Sequence, residues 1–396
     1  MSAEEPVRLL FDPSMIVAGQ VLEGAVDLYW PIVIEKKIEE VIVKLRGELR
    51  TRFERRTVHN VNGRNQPYYR TESQSVDLIR DDIVLWDQNS GIAPPPDSPI
   101  LRLPFRIQLP EDLPPSCDIG SYSKYGKVGY YLEAVGKRPG LHFNKKDLVP
   151  FPLLPSSSLG AQLKDVLEQG WHGPWKIFDQ GDEIRRGIWG EHAHVKVTLA
   201  LPDIEVLPMF ASIPVSINIV TVSKHMHLDD TPKDEPIFPA PPTKPGEVEL
   251  VLKRDMFLKA HGWAESSTGV DVQNLGGLGE ELSLDQYSRV QVRPFENVWI
   301  PGEKDKGQWK QEATITTWFR LTSPPTFDTS HMSISYYLRL KVDFPGMGND
   351  TKFEVPLRIA SSLYAPRHMG WGNAPAPQME LPLSYFEAGS WQSEKE

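Results

Sequence analysis

The segment 41–53 constrains the fold more than any other. Val41, Val43, Leu45, Leu49, Thr51 and Phe53 alternate with Ile42, Lys44, Arg46, Glu48, Arg50 and Arg52. A period of two puts successive side chains on opposite faces of a strand, so one face is apolar and the other strongly basic. No helix can segregate these residues in that way, since its period is 3.6.

The same period recurs along the chain. Leu101, Leu103, Phe105, Ile107 and Leu109 alternate with Arg102, Pro104, Arg106 and Gln108. Pro104 has no N–H to give to a ladder, which predicts an edge or bulge position. Val128, Tyr130, Leu132 and Ala134 form another run, and segments 7–11, 20–29 and 75–86 bring the total to about seven strands before residue 150, as in one sandwich of the immunoglobulin type. A second set follows in Val195–Leu201, Ile213–Ile219, Val248–Leu252, Ser288–Val292, Ala313–Leu321, Ile334–Val342 and Phe353–Ile359. Composition agrees. Proline is 36 of 396 residues, about 9% against ~5% in ordinary chains, which disfavours an all-helical protein. The expected fold class is therefore all-β, with two consecutive immunoglobulin-like β-sandwiches over 6–155 and 191–363. An aromatic-rich connector spans 156–190. It begins with a short helix, in which Leu159, Leu163, Val166 and Leu167 fall at helical spacing and Gly170 ends the run; Trp171, Trp175, Phe178 and Trp189 are expected to pack against the domains. Thr231–Pro245, with six prolines, reads as an extended loop in the second domain. A short flexible tail is expected over 364–396, where periodicity is lost.

Searching for chemistry yields little. One cysteine, Cys117, excludes an internal disulfide framework and a multi-Cys zinc cage, and points to a reducing compartment. Pro114-Pro115-Ser116 precede Cys117, with no adjacent histidine to lower its pKa, so a nucleophile is not indicated. His192/His194 and His225/His227 form two His-x-His pairs. Each would share a strand face, but neither has a third ligand at motif spacing, so they read as surface histidines and no metal is assigned. Gly276-Gly277-Leu278-Gly279 lacks a following Lys-Ser/Thr and reads as a hairpin loop rather than a phosphate cradle. Neither a G-x-S-x-G elbow nor an H-E-x-x-H pair is present, and no cofactor motif is found. An enzyme is not expected. Met1-Ser2-Ala3-Glu4-Glu5-Pro6 has no basic or apolar leader character, and no run approaches 18 apolar residues, so neither a secretory signal nor a membrane span is expected and a cytoplasmic location is.

Four segments of the first half resemble the arrestin family, most closely the fungal α-arrestin type. They are Val17-Ala18-Gly19-Gln20-Val21-Leu22-Glu23-Gly24-Ala25-Val26, then Val41–Arg50 with Gly47 ending its alternating run, then Leu103-Pro104-Phe105-Arg106-Ile107-Gln108-Leu109-Pro110 followed by Leu113-Pro114-Pro115-Ser116, and finally Gly129-Tyr130-Tyr131-Leu132-Glu133-Ala134-Val135. The third is the most specific. Pro324–Phe327, Ile334–Val342 and Val355–Ile359 fit an arrestin C-terminal sandwich, so the resemblance runs over about 6–360. It implies a non-catalytic trafficking adaptor that joins cytosolic tails of membrane transporters or receptors to a HECT-type ubiquitin ligase, leading to ubiquitylation and endocytosis. The ligase's WW domains take a Pro-Pro-x-Tyr segment in a preformed polyproline conformation. Here Pro382 and Tyr385 stand at the right separation, but Leu383 replaces the second proline; Gln66-Pro67-Tyr68-Tyr69 is a weaker variant.

A basic face completes the reading. Lys44, Arg46, Arg50 and Arg52 are expected on one strand face, with Arg55 and Arg56 just beyond and Lys36 and Lys37 before, in a chain of net charge −10. Such a face suits an acidic or phosphorylated cargo segment or anionic lipid, with peripheral recruitment to plasma or endosomal membrane; the alternative is a solvated face balanced by acids on neighbouring strands. Nucleic acid fits poorly, because no aromatic platform interleaves with the charges. A second reading keeps the fold and drops the ligase: a scaffold or coat component, similar to a retromer subunit, acting through stable interfaces. A third, a β-sandwich hydrolase or carbohydrate binder, rests on aromatic content alone.

Overall fold

The computed structural model describes residues 5–61, 64–140, 142–187, 190, 192–233, 235–279 and 289–365. Two β-sandwiches follow one another. The first begins with β1 (Val7–Leu10), β2 (Val21–Tyr29) and a one-turn helix α1 (Trp30–Glu35), then a long hairpin of β3 (Glu40–Val61) and β4 (Arg64–Asp87). Next come β5 (Ile100–Gln108), β6 (Cys117–Ser121), β7 (Lys124–Lys137) and β8 (Lys145–Phe151). One sheet is β1-β2-β5 and the other β4-β3-β7-β6, with β8 also on β7. Pro104 lies on β5, which pairs only with β2, so its missing N–H faces the open edge as expected.

The odd residues of 41–53 are the core. Val41, Val43, Leu45, Leu49 and Phe53 are buried in one core cluster with Leu101, Leu103, Phe105 and Ile107 of the opposite sheet, and Thr51 is buried beside them. Gly47 does not end this run. The strand continues to Val61, and Gly47 sits inside it because a β-carbon there would lie 2.6 Å from the Tyr130 ring and 2.7 Å from Ile79. Pairing of β3 with β7 stops at Phe53, so from Glu54 to Thr71 the β3–β4 hairpin continues as a two-stranded arm. The strand expected at 75–86 is thus the inner part of a longer one.

Between the sandwiches lies α2 (Ser158–Glu168), with the Ser157 hydroxyl accepting the Gly160 N–H at 3.0 Å as its cap. The rest of the expected connector differs from expectation. Residues Trp175–Arg185 form β9, which pairs along its whole length with β10 (His192–Pro202) and so belongs to the second sandwich. The alternation is masked by polar inward positions: Gln180 and Asp182, both half-buried, stand opposite Val197 and Val195. Inward charge of this kind protects an edge strand from pairing with another chain. Trp171 and Phe178 pack on the core, Trp175 is exposed, and Trp189 lies outside the described residues.

The second sandwich adds β11 (Ile213–Val222), β12 (Val248–Ala260), β13 (Trp263–Asn274), β14 (Gln291–Pro294), β15 (Val298–Pro301), β16 (Lys306–Phe319), β17 (Met332–Asp343) and β18 (Asp350–Leu357). Its sheets are β9-β10-β11-β16, with β14 and β15 on the outer edge of β16, and β13-β12-β17-β18. The proline-rich loop 231–245 is pinned to β16 by Gln311, whose amide donates to the Ile237 and Pro239 carbonyls at 2.9 Å each. Each sandwich is closed in the same way, by a two-residue parallel ladder between an early and a late segment: Ile16-Val17 with Leu153-Leu154, and Leu207-Pro208 with Ile359-Ala360. The expected tail lies outside the described residues except for Tyr364 and Ala365.

Candidate functional site

The outer face of β3 carries Lys44, Arg46, Arg50 and Arg52, as its alternation requires, but the neighbouring strands answer these charges. Arg46 pairs with Asp82 at 2.5 Å and donates to the Leu45 and Asp81 carbonyls. Arg50 pairs with Glu48 at 2.7 Å, and the Glu48 carboxylate also accepts from Ser75. Lys44 stands between Asp82 on β4 and Glu133 on β7 in register. Arg52 lies over the exposed Tyr122 ring, 4.9 Å from its centre. This face is a lattice of alternating charge, each exposed pair contributing about 0–1 kcal/mol.

The other four cations lie elsewhere. Lys36 and Lys37 are on the turn between α1 and β3, about 30 Å along the strand from Arg50 at ~3.3 Å per residue. They therefore form a separate group at the outer end of the first sandwich, with Lys36 paired to Glu35 at 2.6 Å. That pairing, by hydrogen bond and charge, holds the Glu35 carboxyl below its ordinary value. Arg55 points the other way, toward the second sandwich, 3.7 Å from the centre of the Trp263 ring and 3.4 Å from the buried Glu72. Arg56 is exposed on the hairpin arm, near the exposed Val58, Tyr68 and Tyr69. Gln66-Pro67-Tyr68-Tyr69 is held in the β3–β4 ladder, with Pro67 opposite Val58, and not in a free polyproline segment. Pro382 and Tyr385 lie outside the described residues.

Arg55 leads to a seam between the two sandwiches that no motif announced. The Thr51 hydroxyl donates to the Lys259 carbonyl at 2.8 Å, the His261 N–H donates to Gln74 at 2.8 Å, and Lys124 reaches Glu265 at 3.0 Å. Gly126 on β7 meets Met332 and Leu258, both fully buried; a β-carbon there would lie 2.7 Å from Met332. The contacts sit on the β12–β13 turn, where His261 has φ 50° and Gly262 φ 83°. Sequence pattern marks a turn there but not what it touches.

Chemistry-bearing side chains are otherwise placed structurally. Cys117 is buried, and burial pushes its thiol up to about 12, the opposite of an activated nucleophile. His192 and His194 do share a face, with Glu183 between them at 3.4 and 3.7 Å, but Arg185 donates to His192 at 2.8 Å. His227 faces the Asp305 carbonyl at 3.1 Å. Among the described residues no three His, Cys, Asp or Glu side chains are grouped to hold a metal ion. Gly276, Gly277 and Gly279 have positive φ, and the buried Leu275 and Leu278 turn this loop into a plug on the core. No helix among the described residues is long and apolar enough to cross a membrane.

Comparison with known proteins agrees with this architecture in its first half. Residues 10–156 match the family model described as arrestin (or S-antigen), N-terminal domain. No curated protein matches the chain significantly.

Proposed function

Residues 10–156 match the arrestin N-terminal domain, and on that premise we propose that this chain is an arrestin-family, non-catalytic adaptor. In this reading it acts as an α-arrestin, joining cytosolic tails of membrane transporters or receptors to the WW domains of a HECT-type ubiquitin ligase, in the cytoplasm and on plasma or endosomal membrane. The observation that carries the reading is an arrestin N-terminal domain over 10–156 set in a tandem of sandwiches. Two features support it. The hairpin arm beyond Glu54 presents Val58, Tyr68, Tyr69 and Arg56 away from both cores, as a cargo-contacting element would. Pro382 and Tyr385 would carry the ligase contact.

A WW-domain array probed with the full chain tests the ligase arm. Capture that is lost on Tyr385→Ala is expected; no capture, or capture indifferent to that change, removes the ligase from the proposal. Proximity labelling with and without residues 364–396 tests the adaptor itself: ligase subunits should depend on that segment and membrane proteins should not.

Leu383 in place of the second proline favours the alternative, an arrestin-fold scaffold or coat component without a ligase. A stoichiometric partner that co-elutes on size exclusion and ignores Tyr385→Ala would select it.

A further inference from the structure

At the outer end of the first sandwich, apolar side chains stand in solvent among a group of cations. Phe143 is 91% exposed and Ile34 62%. Arg138 ties their two segments together: its guanidinium donates to the Lys36 carbonyl at 2.7 Å and to the Phe143 carbonyl at 3.5 Å, while its own N–H is held by Asn144 at 3.1 Å. Arg138 therefore spends its hydrogen bonds on backbone and keeps its charge. Among the described residues Lys37, Arg138 and Lys145 make no ion pair. Of the nearby acids, Glu35 is engaged by Lys36 and Glu40 by Lys137 at 2.6 Å each; Glu39 and Asp87, whose carboxylate accepts the Asn89 N–H, remain, fewer than the cations around them. Behind this rim is a cavity of about 520 Å³, walled by Trp30 and Trp86 in an edge-to-face pair 5.7 Å apart, with Ile34, Lys37 and Pro139 at its edge.

From this geometry we infer that the tip is a docking surface for an anionic phospholipid bilayer. The open edges of β4 and β8 lead away from this tip, and Ile34 and Phe143 stand on a helix and a loop, so a peptide strand added to either edge would not cover them. Apolar side chains on separate segments, rimmed by cations, match the headgroup–acyl boundary instead. The chain's net charge of −10 opposes a non-specific approach to an anionic surface, so binding depends on a local cluster such as this one. The inference rests on the peripheral recruitment proposed above, and it gives that recruitment a contact that needs neither cargo nor ligase.

Co-sedimentation of the full chain with vesicles tests it, comparing pure phosphatidylcholine with phosphatidylcholine containing phosphatidylserine. Binding is expected only to the anionic vesicles and should weaken as salt rises. Lys37→Gln with Lys145→Gln should lower affinity about thirtyfold, two surface cations at about 1 kcal/mol each. Phe143→Ser should lower it about tenfold. Lys176→Gln with Lys352→Gln, on the second sandwich, should change nothing. Near-ultraviolet circular dichroism confirms that each variant folds. No binding to anionic vesicles, binding of soluble glycerophosphoserine but not of vesicles, saturable binding of a peptide that vesicles do not displace, or binding indifferent to the tip variants would each overturn the inference. Those failures would leave the pull-down tests of the adaptor unaffected.

Discussion

A methyl group at Gly160 would overlap the carbonyl oxygen of Ser361, the backbone of the second sandwich. Two effects compete there. Alanine is a better helix former by at most about 1 kcal/mol. A backbone carbonyl cannot rotate away, and overpacking costs about 1–3 kcal/mol. The clash wins, and Gly160→Ala should lower stability by about 1–2 kcal/mol in denaturant titration; an unchanged midpoint would show that α2 can lift off. Cys117 gives a second test at this scale. Its native thiol is pushed up to about 12 by burial, against about 8.5 in an unfolded chain. The folded state thus holds the proton more tightly. The contribution is intact below about pH 8.5 and declines as pH rises toward 12. Cys117→Ala should flatten part of the alkaline loss of stability, and the native thiol should resist a thiol reagent at pH 8 until the protein is unfolded. Rapid labelling of the native protein would contradict this burial.

Among the elements, the β3–β4 hairpin shows what a pattern can and cannot carry. Its inner half was readable at 41–53 because one side of it must be apolar. Beyond Phe53 the arm lies past the end of β7 and has no core to face, so its sequence becomes polar and aromatic without alternation. β9 was missed for a related reason: an edge strand with inward Gln180 and Asp182 has traded its periodicity for protection. α1 escaped because one turn of helix, with Pro31 in its first turn, is too short to show a period. The basic strip was legible as a strip, and its balancing by neighbouring acids as the alternative reading; which acids do so was not, since Asp82 and Glu133 are remote in sequence and meet Lys44 only through register. At the seam, Arg55 and Trp263 should couple by about 0.5–1 kcal/mol in a double-mutant cycle. Zero coupling would make their stacking incidental.

For the molecule as a whole, Gly126 is where one sandwich touches the core of the other. Gly126→Val would drive a branched side chain into Met332 and Leu258. The two sandwiches should then unfold separately, as two calorimetric transitions in place of one; a single transition at the original temperature would mean that the seam does not couple them. The two-residue ladders that close each sandwich give both units the same plan, and α2 stands between them.

Ala365 donates its N–H to the Ser156 hydroxyl at 3.1 Å, and the Leu363 carbonyl accepts the Ser157 N–H at 2.8 Å. The chain therefore leaves its second sandwich at the waist of the protein, beside the start of α2, and not at a far pole. A ligase contact at Pro382 and Tyr385, as proposed above, would therefore have its root beside α2, next to both sandwiches, and not at the outer end of one of them.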